Sequence, residues 1–414
     1  MRRVQSVLLA FTALALGGGA ARAATELPGT IAAYTSQNGA VQHVLIADWQ
    51  GWGCVGHWSR TTGSGTWNLA ACIGDWTSGV PSIAAGSVVT GFWSQNDDTD
   101  HAFFIGSDGN LWELYANDGQ AGDPTKWSFN NLTQLTSTPK PRSQSATWCI
   151  DAACSSTVPG ITAASSLTSF YDGYGIEHVF FVDSNYALHE VYHANGAWWG
   201  GYHGGQVSAT MGQGLSSQWD GSVQHVYFTG ADGDLHEAYN DGSWHLHDLT
   251  KVSVPPLTAS QSPFGYLTCQ NKGGVQDIYG FASNGLEDVS YSSGQWKGTT
   301  YSGGSAFAPW SPSTTNWALP YFFYVGTDQH IYETDAEPGS NHGQTTDLTA
   351  AYNYAAAGAS STKLSSLASL LDSNDDLHLF FVDTTGNLRE YWAYAGYPVW
   401  YQDAISNLST GYPP

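Results

Sequence analysis

Residues 178–192 read HVFFVDSNYALHEVY, and three other stretches repeat the pattern: HAFFIGSDGNLWELY at 101–115, HVYFTGADGDLHEAY at 225–239 and HLFFVDTTGNLREYW at 378–392. Each opens on a histidine, runs through apolar residues into a turn of Gly, Asp, Asn, Ser or Thr, and returns through an alternating run ending in Tyr or Trp. That is a β-hairpin with turn chemistry at the right place. A glutamate follows the histidine by twelve residues in every copy: His101 and Glu113, His178 and Glu190, His225 and Glu237, His378 and Glu390. Repetition at a period of about fifty residues points to a solenoid or a propeller.

Weaker copies fill the gaps. QDIYGFASNGLEDVSY at 276–291 keeps the hairpin with Asp288 in the glutamate position. YFFYVGTDQHIYE keeps the step from Tyr321 to Glu333, and a first copy starts at His43 and runs to His57-Trp58. Seven units result, anchored at residues 43, 101, 178, 225, 277, 321 and 378. A Ser/Thr/Ala-rich stretch before each hairpin leaves room for an inner strand. A Trp after it opens a short run that often ends in (Asp/Asn)-Leu-Thr, as at Asn131, Asp248 and Asp347. Four short strands per unit, repeated radially, predict an all-β chain: a seven-bladed β-propeller of four-stranded antiparallel blades, whose closed ring protects the sheet edges. Helices have little footing, because Gly is abundant and no long 3.6-period segment follows the N-terminus.

Residues 1–23 read as a signal peptide, with Arg2-Arg3, a short apolar core at 7–16 and Ala21-Arg22-Ala23 as a cleavage site. Residues 24–414 are then a single propeller domain, secreted to the extracellular space or a periplasm, with an insertion at 137–158 between the second and third blades. Removing Arg2, Arg3 and Arg22 from the 12 basic residues leaves 9 against 35 acidic ones. Such a surface repels nucleic acid and anionic membranes, and no apolar stretch is long enough for membrane insertion. Five cysteines suit an oxidising compartment. Cys149 with Cys154, and Cys54 with Cys72, are candidate disulfides, leaving Cys269 over. Their spacing matches no zinc pattern, so no metal and no cofactor are expected.

Antiparallel pairing brings a residue near the start of one hairpin strand beside one near the end of the next. A nitrogen donor beside a carboxylate suits vicinal hydroxyls, which both donate and accept. Aromatic side chains can cover the C–H face of a sugar ring. Tyr115, Tyr192, Tyr239 and Tyr291 follow the acids, and Trp127, Trp198-Trp199, Trp244, Trp296 and Trp400 open the following strands. A second reading stands beside this one: a buried His–Glu hydrogen bond recurring only to satisfy polar groups, with the aromatics as core between blades.

The order of strand, Asx/Gly turn, (Leu/Ile)-x-Glu-x-(Tyr/Trp) and Trp resembles the Aleuria-type fucose-binding lectins and the related seven-bladed bacterial and fungal propeller lectins. The resemblance covers roughly residues 30–405. It implies fucose sites between blades, with the family's glutamate falling on Glu113, Glu190, Glu237, Glu333 and Glu390. The family's arginine falls on His101, His178, His225, Tyr321 and His378. An imidazole offers fewer donors than a guanidinium and no permanent charge. Arg389 is taken as the only arginine inside a hairpin, one residue before Glu390.

The expected activity is therefore a secreted lectin with several weak sugar sites and no catalytic residues, as a monomer or a dimer. Its partners are glycans ending in fucose or a related monosaccharide, methylated forms included. The expected sugar-binding residues are His101, Glu113, Trp127, His178, Glu190, Tyr192, Trp199, His225, Glu237, Tyr239, Trp244, Trp296, Glu333, His378, Glu390 and Trp400, with the third, fourth and seventh units as the best sites. A protein-binding scaffold and a propeller glycosidase or lyase are the alternatives. A glycosidase needs one unequal carboxylate pair, whereas here the carboxylates repeat.

Overall fold

In each strong unit the two hairpin strands pair in the register that the sequence pattern requires. Blade 3 sets His178 opposite Tyr192 and Phe180 opposite Glu190; blade 4 sets His225 opposite Tyr239 and Tyr227 opposite Glu237. His and Glu are therefore diagonal neighbours on one face of the sheet. The turns are closed by aspartate. Asp183 Oδ1 accepts the amides of Asn185 and Ala187, both at 2.8 Å. At the equivalent turns of blades 2 and 4, Gly109 and Gly233 carry the positive φ that glycine tolerates without strain.

The computed structural model describes residues 31–405, apart from 48–52, 65, 74–78, 85–86, 122, 136–160, 162–165, 173, 208–213, 258–264, 273, 283–284, 302–312, 316–320, 327, 336–344, 355–366, 385–386 and 395–398. The leader at 1–23, the insertion at 137–158 and the Cys149–Cys154 pair lie outside the described residues. Seven four-stranded antiparallel sheets follow in chain order, spanning 31–73, 89–131, 167–206, 215–248, 265–301, 313–347 and 368–404. Each innermost strand lies against the next, and the innermost strand of blade 7 returns to that of blade 1. The structure is a seven-bladed β-propeller.

The blades pack through seven apolar clusters, one at each junction. Alternation along a strand divides its residues between two of them. Phe103 and Ile105 of blade 2 face blade 3, while Ala102 and Phe104 face blade 1. A strand buried on both faces reads as a continuous apolar run, which is why HAFFI and HVFFV lack the polar alternation of a half-exposed strand.

Every blade is built from consecutive strands, so no strand is exchanged between the chain ends. The ring closes through side contacts of blades 7 and 1, including the Ser373 amide donating to Gly39 O at 3.0 Å. The (Asp/Asn)-Leu-Thr motif, read above as the end of a strand, continues into one helical turn: α1 (Leu132–Leu135), α2 (Leu249–Val252) and α3 (Leu348–Tyr352). Asp248 and Asp347 cap α2 and α3. The motif's leucines are fully buried. Its threonines accept the first amide of the blade's third strand (Leu111, Leu235 and Ile331) at 2.8–2.9 Å. Cys54 and Cys72 form a disulfide across blade 1, and the Cys269 thiol, in no disulfide, accepts from Ser216 Oγ at 3.1 Å.

Candidate functional site between neighbouring blades

The four His–Glu pairs are hydrogen-bonded within their own blades. His101, His178, His225 and His378 donate from Nδ1 to Oε1 of Glu113, Glu190, Glu237 and Glu390 at 2.8, 2.6, 2.7 and 2.6 Å. All eight side chains are buried. Each pair sits at the floor of a junction, with its blade's fourth strand on one side and the next blade on the other. Oε2 of Glu113, Glu190 and Glu237 meets the fourth strand of the same blade, where the partner varies. Asn130 donates to Glu113 at 2.7 Å, His203 to Glu190 at 2.9 Å, and His247 lies 3.4 Å from Glu237.

Burial lowers the proton affinity of His178, but its bonds to Asp172 and Glu190 outweigh that and raise its pKa. Burial would raise Glu190, but His178 and His203 together bring it down to about 2. In His101 burial is likewise outweighed, by Glu113 and by the charge of Glu177. The degraded copies lose the pair. Blade 1 has His43 and His57 at 3.1 Å, and burial takes His57 down to about 4. Blade 5 puts Asp277 and Asp288 on one face, where burial pushes Asp277 up to about 6.

The Trp at or just before the start of each fourth strand does not wall its own blade's pair but faces the preceding blade, because its register partner on the third strand lies on the face opposite to the glutamate; Trp199, opposite Tyr192, shares the face of Glu190. Trp198, Trp244, Trp296, Trp400 and Trp67 thus meet Phe103, Phe180, Tyr227, Phe323 and Phe380 edge-on, at centroid distances of 5.5–6.3 Å. Trp127 meets His57 at 5.3 Å. Trp127, Trp296 and Trp400 are buried core residues, although the Trp400 indole also donates to Glu333 of blade 6 at 3.3 Å. Tyr192 and Tyr239 stay with their own pairs, their rings 6.2 and 6.3 Å from His178 and His225.

The junctions differ in what fills them. Between blades 2 and 3 a cavity of about 510 Å³ is lined by His101, Glu113, Asn130, His193, Trp198 and Trp199, among others. Between blades 3 and 4 the corresponding space shrinks to about 40 Å³, with Trp244, Gln224 and Asn240 closing over His178, Glu190 and Tyr192. Between blades 7 and 1 the place is taken by Arg60. Its guanidinium grips Glu390 through Nη1 to Oε2 at 2.9 Å and Nη2 to Oε1 at 2.5 Å, and lies 4.4 Å over Trp67. Arg60 lies on the third strand of blade 1, so Arg389 is not the only hairpin arginine; Arg389 itself donates to Asp383 at 2.6 Å. The seventh pair, expected among the best sites, is engaged by the protein itself.

Sequence reasoning missed Asn130, His203, His247, His193 and Arg60, and also the residue immediately before each strand-opening histidine or its counterpart. That residue points to the opposite face and so into the preceding junction. Gln42 and Gln224, and Gln276 before Asp277, bring an amide to His378, His178 and His225 at 3.0, 2.9 and 3.0 Å. The period of two in QH, EH and QH was the available signal.

No protein-family model matches the chain, and no curated protein matches it. Among solved structures, a lectin from Burkholderia pseudomallei is similar at a TM-score of 0.66 and 16% identity, over 92% of this chain and 99% of that one. An Aleuria aurantia lectin variant in complex with α-methyl-L-fucoside is similar at 0.51 and 13% identity, over 92% and 96%. Aleuria aurantia lectin is described as a six-bladed propeller with a fucose recognition mode, one blade fewer than here. At such identities the likeness establishes the fold: the repeats that resemble Aleuria-type lectins in sequence build a propeller of the same kind.

Proposed function

We propose that the protein is an exported carbohydrate-binding lectin whose principal sugar site is the cavity between blades 2 and 3. One observation carries this reading: a cavity of about 510 Å³ that sets the Trp198 indole opposite a buried carboxylate and an amide. The volume falls in the ~300–1,000 Å³ range of small-molecule sites. An apolar wall facing convergent polar groups suits a ring with one C–H face and several hydroxyls. Glu113 Oε2 with Asn130 Nδ2 offers an acceptor beside a donor, and His193, half-buried and stacked on Trp198 at 5.2 Å, offers another. His101, in the family's arginine position, holds Glu113 in place rather than offering a fork of donors to the sugar.

Fucosides are the first ligands to try, because the Aleuria structures hold α-methyl-L-fucoside and Fucα1-6GlcNAc. A single site of this kind binds at roughly 0.1–1 mM, about 4–5.5 kcal/mol. The smaller space between blades 3 and 4 would need Trp244 to turn aside, and the junction of blades 7 and 1 contributes no site while Arg60 holds Glu390. Export is supported by the leader-like residues 1–23 and by the Cys54–Cys72 bridge.

The test is a glycan array with the mature protein, with free monosaccharide as competitor, repeated with Trp198→Ala and Glu113→Gln. Competed binding lost in both folded variants supports the site. A folded wild type silent on the array overturns the lectin reading in favour of a protein-binding scaffold. Binding unaffected by either variant moves the sugar to another junction.

A further inference from the structure

At three junctions a glutamine of the following blade brings its side-chain amide to Nε2 of the histidine. There Nε2 also lies 3.3 Å from an aspartate oxygen of its own blade (Asp372, Asp172 and Asp220), so each imidazole meets a carboxylate at both nitrogens. Between blades 2 and 3 that position is Glu177. Its Oε1 stands 3.6 Å from His101 Nε2. His101 is 4% exposed and Glu177 3% exposed. Neither His101 Nε2 nor Glu177 Oε2 has a hydrogen-bond partner among the described residues. An imidazole nitrogen turned toward a buried carboxylate needs a positive charge between them, which a proton or a metal ion can supply. Asp97, on the turn before the same strand, adds a third donor. One ligand atom each of Asp97, His101 and Glu177 lie within 4.8 Å of one another. His193 Nδ1 approaches the same Glu177 oxygen at 3.4 Å.

We propose that these residues form a divalent transition-metal site, with His101 Nε2, Glu177 and Asp97 as ligands. Two donors about 2.1 Å from a tetrahedral zinc ion are about 3.4 Å apart, close to the 3.6 Å between His101 Nε2 and Glu177 Oε1. The mixture of imidazole and carboxylate suits zinc and its neighbours rather than calcium, which takes oxygen ligands. Glu113, bonded to His101 Nδ1, is the outer carboxylate that fixes a metal-binding imidazole in the correct tautomer. The donors come from two blades 76 residues apart at His101 and Glu177, so cysteine spacing gave no hint of them. Asp232, His236 and Asp248 also cluster, but there His236 already donates to Asp232 and Lys251 holds Asp248.

The site lies in the wall of the proposed sugar cavity but does not depend on a sugar entering it. Its test is calorimetric titration of chelator-treated protein with zinc chloride, for wild type, Glu177→Gln and Asp97→Asn. Glu177→Gln writes into this junction the amide that three others already carry, so the fold should persist. Asp97 is exposed, which makes Asp97→Asn a second variant with little risk to folding. Wild type should take up one zinc equivalent that both variants bind at least ~10-fold more weakly. Zinc should raise the melting temperature of wild type alone. Equal affinity and stoichiometry in all three proteins, or no uptake by wild type at ~1 mM zinc, overturns the proposal.

Discussion

Replacing Arg60 by methionine removes the charge at the closing junction while keeping an unbranched side chain over Trp67. Arg60 is 7% exposed and Glu390 fully buried. The guanidinium also donates from Nε and Nη2 to Gln42 Oε1 at 3.1 and 2.6 Å. Removing one partner of a buried ion pair costs about 3–5 kcal/mol, because the other charge is left in a poor solvent. His378 and the Trp67 indole still donate to Glu390, which places the loss near the low end, about 3 kcal/mol. For roughly 375 folded residues the unfolding entropy is about 0.8 kcal/mol/K, so the melting temperature should fall by about 4 °C.

The deficit should also depend on pH in a defined direction. Burial would raise the Glu390 pKa, but His378 and Arg60 hold it below its ordinary value of 4.5. A carboxylate depressed by folding stabilises above its unfolded pKa, and that contribution fades as the pH falls below it. Part of it is lost with Arg60, so wild type and variant should converge below pH 4.5. Adding Glu390→Gln to Arg60→Met should recover most of the loss, since no buried charge then remains unpaired. Scanning calorimetry of the three proteins from pH 3 to 8 is the assay. A single variant within 1 °C of wild type at pH 7, or a double variant no more stable than the single one, would refute the view that this ion pair latches the ring.

Three further outcomes are expected. His57, buried and held near pKa 4 against 6.5 unfolded, stabilises above pH 6.5, and about 3 kcal/mol is lost as the pH falls toward 4; in denaturant titrations His57→Gln should flatten that slope. Trp127→Ala and Trp296→Ala should each cost about 3–5 kcal/mol by melting, whereas Trp198→Ala should reduce glycan binding at least ~10-fold at a smaller stability cost. Reducing the Cys54–Cys72 bridge, which closes a separation of 18 residues, should remove about 3 kcal/mol, read as a ~4 °C drop in melting temperature with dithiothreitol.

What the sequence disclosed follows from the range of the interactions. Hairpin register, turn aspartates and the His–Glu diagonal are set within about fifteen residues, so HVFFVDSNYALHEVY contains its own partners. The partner of a tryptophan is not in its own blade. Trp127 was grouped with Glu113 because it follows it in sequence, yet the sheet turns it toward His57 of blade 1. Trp199 was named ahead of Trp198, although Trp198 makes the aromatic contact with Phe103 across the junction. Arg60 escaped notice because it lies two residues past Trp58, where the first copy was taken to end, while the third strand of blade 1 continues to Thr61. Glu390, the partner of Arg60, is 330 residues away, and only closure of the ring brings the two together.

The two readings of the His–Glu pair are reconciled by dividing the carboxylate. One oxygen is always spent on the blade's own histidine, at 2.6–2.8 Å, and that bond is framework: it satisfies two buried groups wherever it occurs. The other oxygen faces the junction, and the junction determines its use. Arg60 saturates it at the ring closure; His203 together with Trp244 crowds it between blades 3 and 4, their rings 3.9 Å apart; and between blades 2 and 3 Asn130 leaves it at the floor of an open cavity. Repetition of the pair therefore marks framework, not sites. Whether a given copy meets a ligand depends on two residues of the following blade, the one before its strand-opening histidine and the one opposite it on the third strand: Gln42 and Arg60, Gln224 and Asn240, or Glu177 and His193. Exchanging Gln224 for Glu and Asn240 for His would carry the blade 2–3 arrangement to the next junction. A second zinc equivalent in calorimetry is the expected result, and an unchanged stoichiometry in a folded variant would show that these two positions do not control the junction.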